Sequence, residues 1–269
     1  MAALHTETGL APTAASARSM LLSGARVVAP GQDVTYPDRD GRPLAETQAH
    51  LDQIIYLVVA LQQFFAAAPD VFVAGDLLLY YVEGDKRKRV APDVFIARGV
   101  KNAKQLRRTY LLWDEGATPE VIFEITSAGT IREDLETKHF LYHQLGVREY
   151  FLFDPLGEYL RPSLLGYRLI DGSYQQIDAD AAGTVLSDTL GLELRLRDRG
   201  LRLFDPQTGE WLLSPDELAE ARRLEARGRE EEARGRVAAE TRAATAEVEL
   251  ARLRMLLDQR GTPERDSER

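Results

Sequence analysis

Residues 119–127 read PEVIFEITS, a continuous β-favouring run with a carboxylate inside it. An apolar run that does not alternate is buried on both faces, which places it at the centre of a sheet covered by helices. Glu124 then stands where an ionised group is costly without a compensating partner. The run VAPDVFIA repeats the conflict at Asp93. One buried acid is an ordinary structural hydrogen-bond acceptor. Two on neighbouring core strands repel each other, and a divalent cation is the simplest species that makes both charges favourable.

The stretch after Glu124 fixes the topology. Thr130 and Glu133 have the spacing of a capping box, which starts a helix running to Leu145, with Gly146 as its left-handed cap. VREYFLFDP then returns as a strand ending at Pro155. Strand, helix, strand in this order predicts a parallel crossover. Upstream, the turn-rich YPDRDGRPLAE delivers the chain into a helix from Glu46 to about Phe65, whose apolar residues recur every three or four positions. Between the two helices lie short strands separated at Gly75-Asp76 and Glu83-Gly84-Asp85.

From 157 to 213 hairpin signals dominate, with an Asp-Gly turn at 171–172 and clean alternation on either side of 198–200, so a small antiparallel extension is expected. Beyond Asp216 the composition shifts to Glu, Arg and Ala. Val237, Ala244 and Ala251 run in sevens beside Thr241, Val248 and Met255, a heptad seam that predicts a coiled-coil helix over 215–258 and self-association through it. Gly228 and Gly235 weaken its first part. Residues 1–29 read as a mobile lead-in, 30–214 as the main domain and 259–269 as a disordered tail.

The 269 residues contain no cysteine, which excludes disulfides, thiolate zinc sites and cysteine nucleophiles and fits a reducing cytoplasm. No run approaches the length of a membrane helix, so a soluble protein is expected. The net charge of -9 argues against a general nucleic-acid binder, yet residues 86–108 hold nine basic residues and one acid, Asp93. Lys86, Arg87, Lys88, Arg89, Lys101, Lys104, Arg107 and Arg108 are therefore candidates for binding a phosphate backbone, against the alternative of solvated loops.

Lys138 shares a helical stripe with Leu135, Leu141, Tyr142 and Leu145 that should face the sheet. Either its ammonium reaches the cavity of the two acids, or it snorkels to the edge. Glu46 is a third acid that completes a metal shell or merely favours a helix start. His50, one turn on, is a supporting site residue or a satisfied core histidine. Thr126 and Ser127 bind a water or phosphate, or cap a turn. His139 and His143 have a chelating i,i+4 spacing but lack a zinc-peptidase glutamate, and read as surface composition. No phosphate loop, GxGxxG or GxSxG elbow is present.

AETQAHLDQIIYLV, VAPDVFIARGV, PEVIFEITS, REDLETKHFLYHQLGVREYFLFDP and LRLFDPQTGEWLL occur in the order that resembles the Uma-two family of restriction-endonuclease-like proteins, over roughly residues 30–215. The resemblance implies the PD-(D/E)XK superfamily fold, a mixed sheet flanked by helices. It puts the motif's aspartate at Asp93 and its second acid at Glu124. Two residues after Glu124 stands Thr126 rather than the motif's lysine, and the family pattern implies a lysine moved to the following helix, which is Lys138. The same resemblance implies Mg²⁺- or Mn²⁺-dependent endonuclease activity on DNA. A binding or assembly protein with weak or no catalysis, acting through its coiled coil, is the alternative.

Overall fold

The computed structural model describes residues 36–38, 41, 47–198 and 200–260. The lead-in 1–29, Glu46 and residues 261–269 lie outside the described residues. The chain divides into two compact units, 1–215 and 216–269.

Helix α1 (Gln48–Phe64) begins where Thr47 accepts a hydrogen bond from the His50 N–H at 3.2 Å, satisfying one orphan amide of its first turn. It buries Ile54, Leu57 and Leu61 on one face of a six-stranded sheet. The sheet comprises β1 (Phe72–Gly75), β4 (Val94–Ala97), β6 (Val121–Ile125), β7 (Glu149–Phe153), β8 (Leu164–Ile170) and β9 (Ser173–Gln176), in that spatial order. Within it only β6 and β7 pair in parallel, with the predicted helical crossover between them. The sheet is mixed, flanked by helices, with β6 at its centre and every residue of that strand buried.

Alternation sorts β6 between two cores. Val121, Phe123 and Ile125 join the cluster under α1, and Ile122 joins the cluster on the opposite face with Tyr142 and Tyr150. Glu124 shares the second face. The remaining short strands β2 (Leu79–Tyr80), β3 (Arg89–Val90) and β5 (Tyr110–Leu111) form a three-stranded sheet in the order β3-β2-β5, followed by α2 (Leu112–Glu115).

The extension expected over 157–213 divides in two. The hairpin around Asp171-Gly172 adds β8 and β9 to the edge of the main sheet through β7, and only β10 (Val185–Ser187), β11 (Leu192–Arg197), β12 (Gly200–Asp205) and β13 (Glu210–Trp211) form a separate antiparallel sheet. Hairpin signals reveal local pairing but not which sheet receives the hairpin.

Gln53 ties the smaller sheet to α1. Its amide donates to the Leu201 carbonyl at 2.9 Å and accepts from the Leu201 N–H at 3.1 Å, as a neighbouring strand would. Replacing it with leucine leaves a buried donor and acceptor unpaired, so Gln53→Leu is expected to destabilise the fold by about 2 kcal/mol or more. Denaturant titration checks this, and a loss within error of zero contradicts it.

The second unit holds the helix α4 (Pro215–Arg260). Its side chains described through Leu257 are almost all exposed.

Candidate active site

The antiparallel ladder pairs Val94 with Phe123, so one step further places Asp93 beside Glu124. Side chain and main chain cross-link the two: the Ile125 N–H donates to Asp93 Oδ2 at 2.6 Å and the Asp93 N–H to Glu124 Oε2 at 3.4 Å. Gly75 on β1 permits this packing. A Cβ there would lie 2.7 Å from a Val58 methyl and 3.1 Å from the Asp93 carbonyl oxygen, so a larger residue would push on the strand that carries Asp93.

Lys138 reaches the same place from the crossover helix. Its Nζ is 2.8 Å from Glu124 Oε2 and 2.9 Å from Asp134 Oδ1. Residues Glu133–Lys138 are π-helical and continue directly into α3 (His139–Leu145). Residues four apart share one face of such a helix. Asp134, Lys138 and Tyr142 are therefore the buried positions, whereas Leu135, expected to face the sheet, is 37% exposed. Tyr142 donates to Glu124 Oε1 at 2.6 Å, and the Tyr150 hydroxyl to the Asp134 carbonyl at 3.0 Å. Thr130 does not make the predicted capping-box start. Its Oγ1 accepts from the Ser127 N–H at 3.2 Å and lies 3.0 Å from Ser127 Oγ, closing the turn before the helix.

His50 comes from the other side of the strands. Its Nε2 lies 3.3 Å from Asp93 Oδ2, yet neither ring nitrogen has a well-formed hydrogen bond although the residue is 4% exposed. Thr126 Oγ1 instead donates to the Phe153 carbonyl at 3.3 Å, a strand-to-strand tie. His139 and His143 are not simple surface residues. His139 packs edge-on against Tyr167 and Tyr174, and His143 Nε2 lies 2.8 Å from the Gly172 carbonyl.

Burial alone does not distinguish these acids. Glu149 and Asp154 on or beside β7 are equally buried, but Glu149 is met by Arg168, Ser187 and two backbone amides, and Asp154 by the amides of Leu156, Gly157, Tyr159 and Leu160. Around Lys138 the balance differs: Glu124 and Asp134 share one ammonium, and the charge of Asp93 lies close by. Burial raises the proton affinity of Glu124 well above the carboxylate range; Lys138 opposes this, and Asp93 and Asp134 add to it. Burial likewise raises Asp134 against the pull of Lys138. Burial works to discharge Lys138, but the three carboxyl groups outweigh it and hold the lysine charged. One monovalent charge does not compensate three carboxylates.

Of the basic candidates, several are occupied within the chain. Lys104 Nζ donates to the carbonyls of Phe65 and Val71, closing the end of α1. Arg107 holds Glu115 and the carbonyls of Lys101, Asn102 and Gln105, Arg108 pairs with Asp38, and Arg87 with Asp85. Arg89 donates to the Lys86 carbonyl. Lys86, Lys88 and Lys101 are exposed and make no ion pair among the described residues.

The sheet is mixed and has helices on both faces, as the sequence resemblance implied. Residues 26–203 match the Uma2 family, described as "Putative restriction endonuclease", and the chain belongs to that family. Among solved structures, that of a putative nuclease belonging to DUF820 from Anabaena variabilis ATCC 29413 is similar at 13% identity and a TM-score of 0.40, covering 54% of this chain and 74% of that one. No curated protein matches the chain.

Proposed function

We propose that the protein is a divalent-metal-dependent endonuclease that hydrolyses DNA phosphodiester bonds at the Asp93–Glu124–Lys138 cluster. The observation that carries this reading is the shortfall of positive charge: the buried Glu124 and Asp134 share one ammonium, with the partly buried Asp93 beside Glu124. Membership of a family described as putative restriction endonucleases supports the same reaction class.

Among the described residues no three His, Asp or Glu side chains form a preassembled cage. Mg²⁺ does not require one, because it keeps several waters and takes one or two carboxylates together with substrate phosphate. The donor set fits: two hard oxygen ligands on adjacent strands, beside a buried imidazole with no well-formed hydrogen bond. Asp93 and Glu124 would hold the ion, with Mn²⁺ as a substitute, and Glu46 is proposed as a further ligand. When bound, the cation polarises the scissile phosphate and lowers the pKa of a bound water.

The chain's own residues do the rest. The Ile125 N–H and Tyr142 hydroxyl fix the orientation of the two carboxyl groups. Lys138, held charged, stabilises negative charge developing on phosphoryl oxygens without reorganisation. His50 is placed to orient Asp93, and Thr126 keeps the end of β6 tied to β7. Lys86, Lys88 and Lys101 draw the backbone in by a salt-dependent, sequence-independent attraction.

The test is incubation of supercoiled plasmid with Mg²⁺ or Mn²⁺. Nicking by the wild type and a loss of about a hundredfold or more in Asp93→Asn is the expected result. Equal nicking by both proteins would defeat the assignment. The exposed apolar residues of α4 favour a second reading, an assembly protein built on a catalytically weak nuclease fold. Nicking by neither protein, with self-association retained, would leave that reading standing.

A further inference from the structure

Resting on the metal-dependent reading above, we infer that Asp134 is the positioning residue that takes over Lys138 when Glu124 turns its charge to the cation. No sequence motif marks Asp134, and the metal needs no ligand from it. Its place in the cluster is defined by geometry. It is 1% exposed, its Oδ1 lies 2.9 Å from the lysine ammonium, and its backbone is fixed by bonds from its N–H to the Thr130 carbonyl and to its carbonyl from the Tyr150 hydroxyl. It shares the inward face with Lys138 and Tyr142.

Counting charge gives it a role. Asp93, Glu124 and Asp134 with one lysine leave two negative charges when all are ionised, which a divalent cation cancels. The partition that satisfies every group gives the cation to Asp93 and Glu124, and the ammonium to Asp134. In the metal-free arrangement Lys138 spans Glu124 and Asp134 at almost equal distances, so the lysine competes with the cation for Glu124 Oε2. Asp134 weakens that competition by offering the ammonium another anion. Without it, Lys138 stays on Glu124 and the cation binds less well.

Three variants test this by Mn²⁺ binding, followed by electron paramagnetic resonance or calorimetry, with no turnover involved. Asp134→Asn is expected to weaken Mn²⁺ binding about tenfold or more. Lys138→Met, which removes the competitor, is expected to tighten it. In the Asp134→Asn/Lys138→Met double variant the Asp134 effect disappears, so the cycle shows strong coupling. If Asp134 is instead a direct ligand, its loss weakens binding equally with and without Lys138, and the inference is overturned. Unchanged affinity in Asp134→Asn with a lowered melting temperature, the mark of a purely structural residue, overturns it too while leaving the metal site intact. Absence of Mn²⁺ binding by the wild type brings down the metal site and the inference together. Should Asp134→Asn fail to fold, Lys138→Met still decides: weaker binding there is incompatible with a competing ammonium.

Discussion

Metal-free protein is expected to lose stability as pH rises above 4.5 toward neutrality, and Glu124→Gln to flatten that decline. Glu124 has a proton affinity in the fold well above its ordinary value of 4.5, from burial first and from Asp93 and Asp134 after it. Above pH 4.5 the unfolded chain therefore releases this proton while the folded chain retains it. A group of this sign contributes stability that is complete below its unfolded pKa and is lost as pH climbs through its folded one. Asp134, raised from 3.8, acts in the same direction. Lys138 is raised from 10.5, so its contribution stays intact across this window.

Each carboxyl group can add a slope of up to about 1.4 kcal/mol per pH unit. Asp85 and Asp180, outside the cluster, have lowered pKa values and titrate alike in both proteins, so they cancel in the comparison. Adding Mg²⁺ should restore most at the alkaline end, because ligand carboxylates must be ionised to bind it. Denaturant titrations at several pH values, with chelator or with Mg²⁺, supply the test. Identical slopes for wild type and Glu124→Gln would show that the cluster is neutralised in some other way.

Asp93, Glu124 and Lys138 were legible because each contradicts its surroundings: a charge inside an apolar run or stripe is a local anomaly that needs no structure to be seen. Their convergence was legible as well, since neighbouring strands and a crossover helix leave few other arrangements. Asp134 was not. It lies in the acidic segment Arg132-Glu133-Asp134 at a helix start, where acids are ordinary companions of the macrodipole. Its spacing of four from Lys138 allows the inward face as readily as the spacing of three from Leu135, and hydrophobic periodicity favours the leucine because it weighs apolar residues only. Glu149 and Asp154 escaped notice for a different reason. They sit at the ends of an apolar run, where solvent is the default expectation, and their partners come from residues up to 40 positions away. The hairpin of β8 and β9 shows the same limit: Asp171-Gly172 announces a turn, but β7 decides where the hairpin docks.

Removal of α4 by truncation after Ser214 is expected to reduce the protein from an oligomer to a folded monomer. Taken alone, α4 is a poor isolated structure: about 69 Å of helix at 1.5 Å per residue, interrupted by Gly228 and Gly235, each of which costs roughly 1 kcal/mol relative to alanine. The i,i+4 pairs Glu225–Arg229 and Glu230–Arg234 return only about 0.3–0.5 kcal/mol each. Meanwhile Val237, Val248 and Met255 on the heptad seam are 62%, 70% and 62% exposed in a single chain. Pairing that seam with a second copy removes this apolar surface from water at about 25 cal/mol per Å². Leu250, Leu253 and Leu257 lie off the seam, at positions that a two-stranded coil leaves in solvent. Further helices around the same seam would leave them in solvent too, so their spacing of three and four marks a second apolar stripe, distinct from the seam. Light scattering on the full chain and on residues 1–214 separates the outcomes. Masses in proportion to chain length alone would mean that the seam has no partner of its own kind, whereas a dimer would confine self-association to the Val237–Met255 stripe and leave the leucines for another protein.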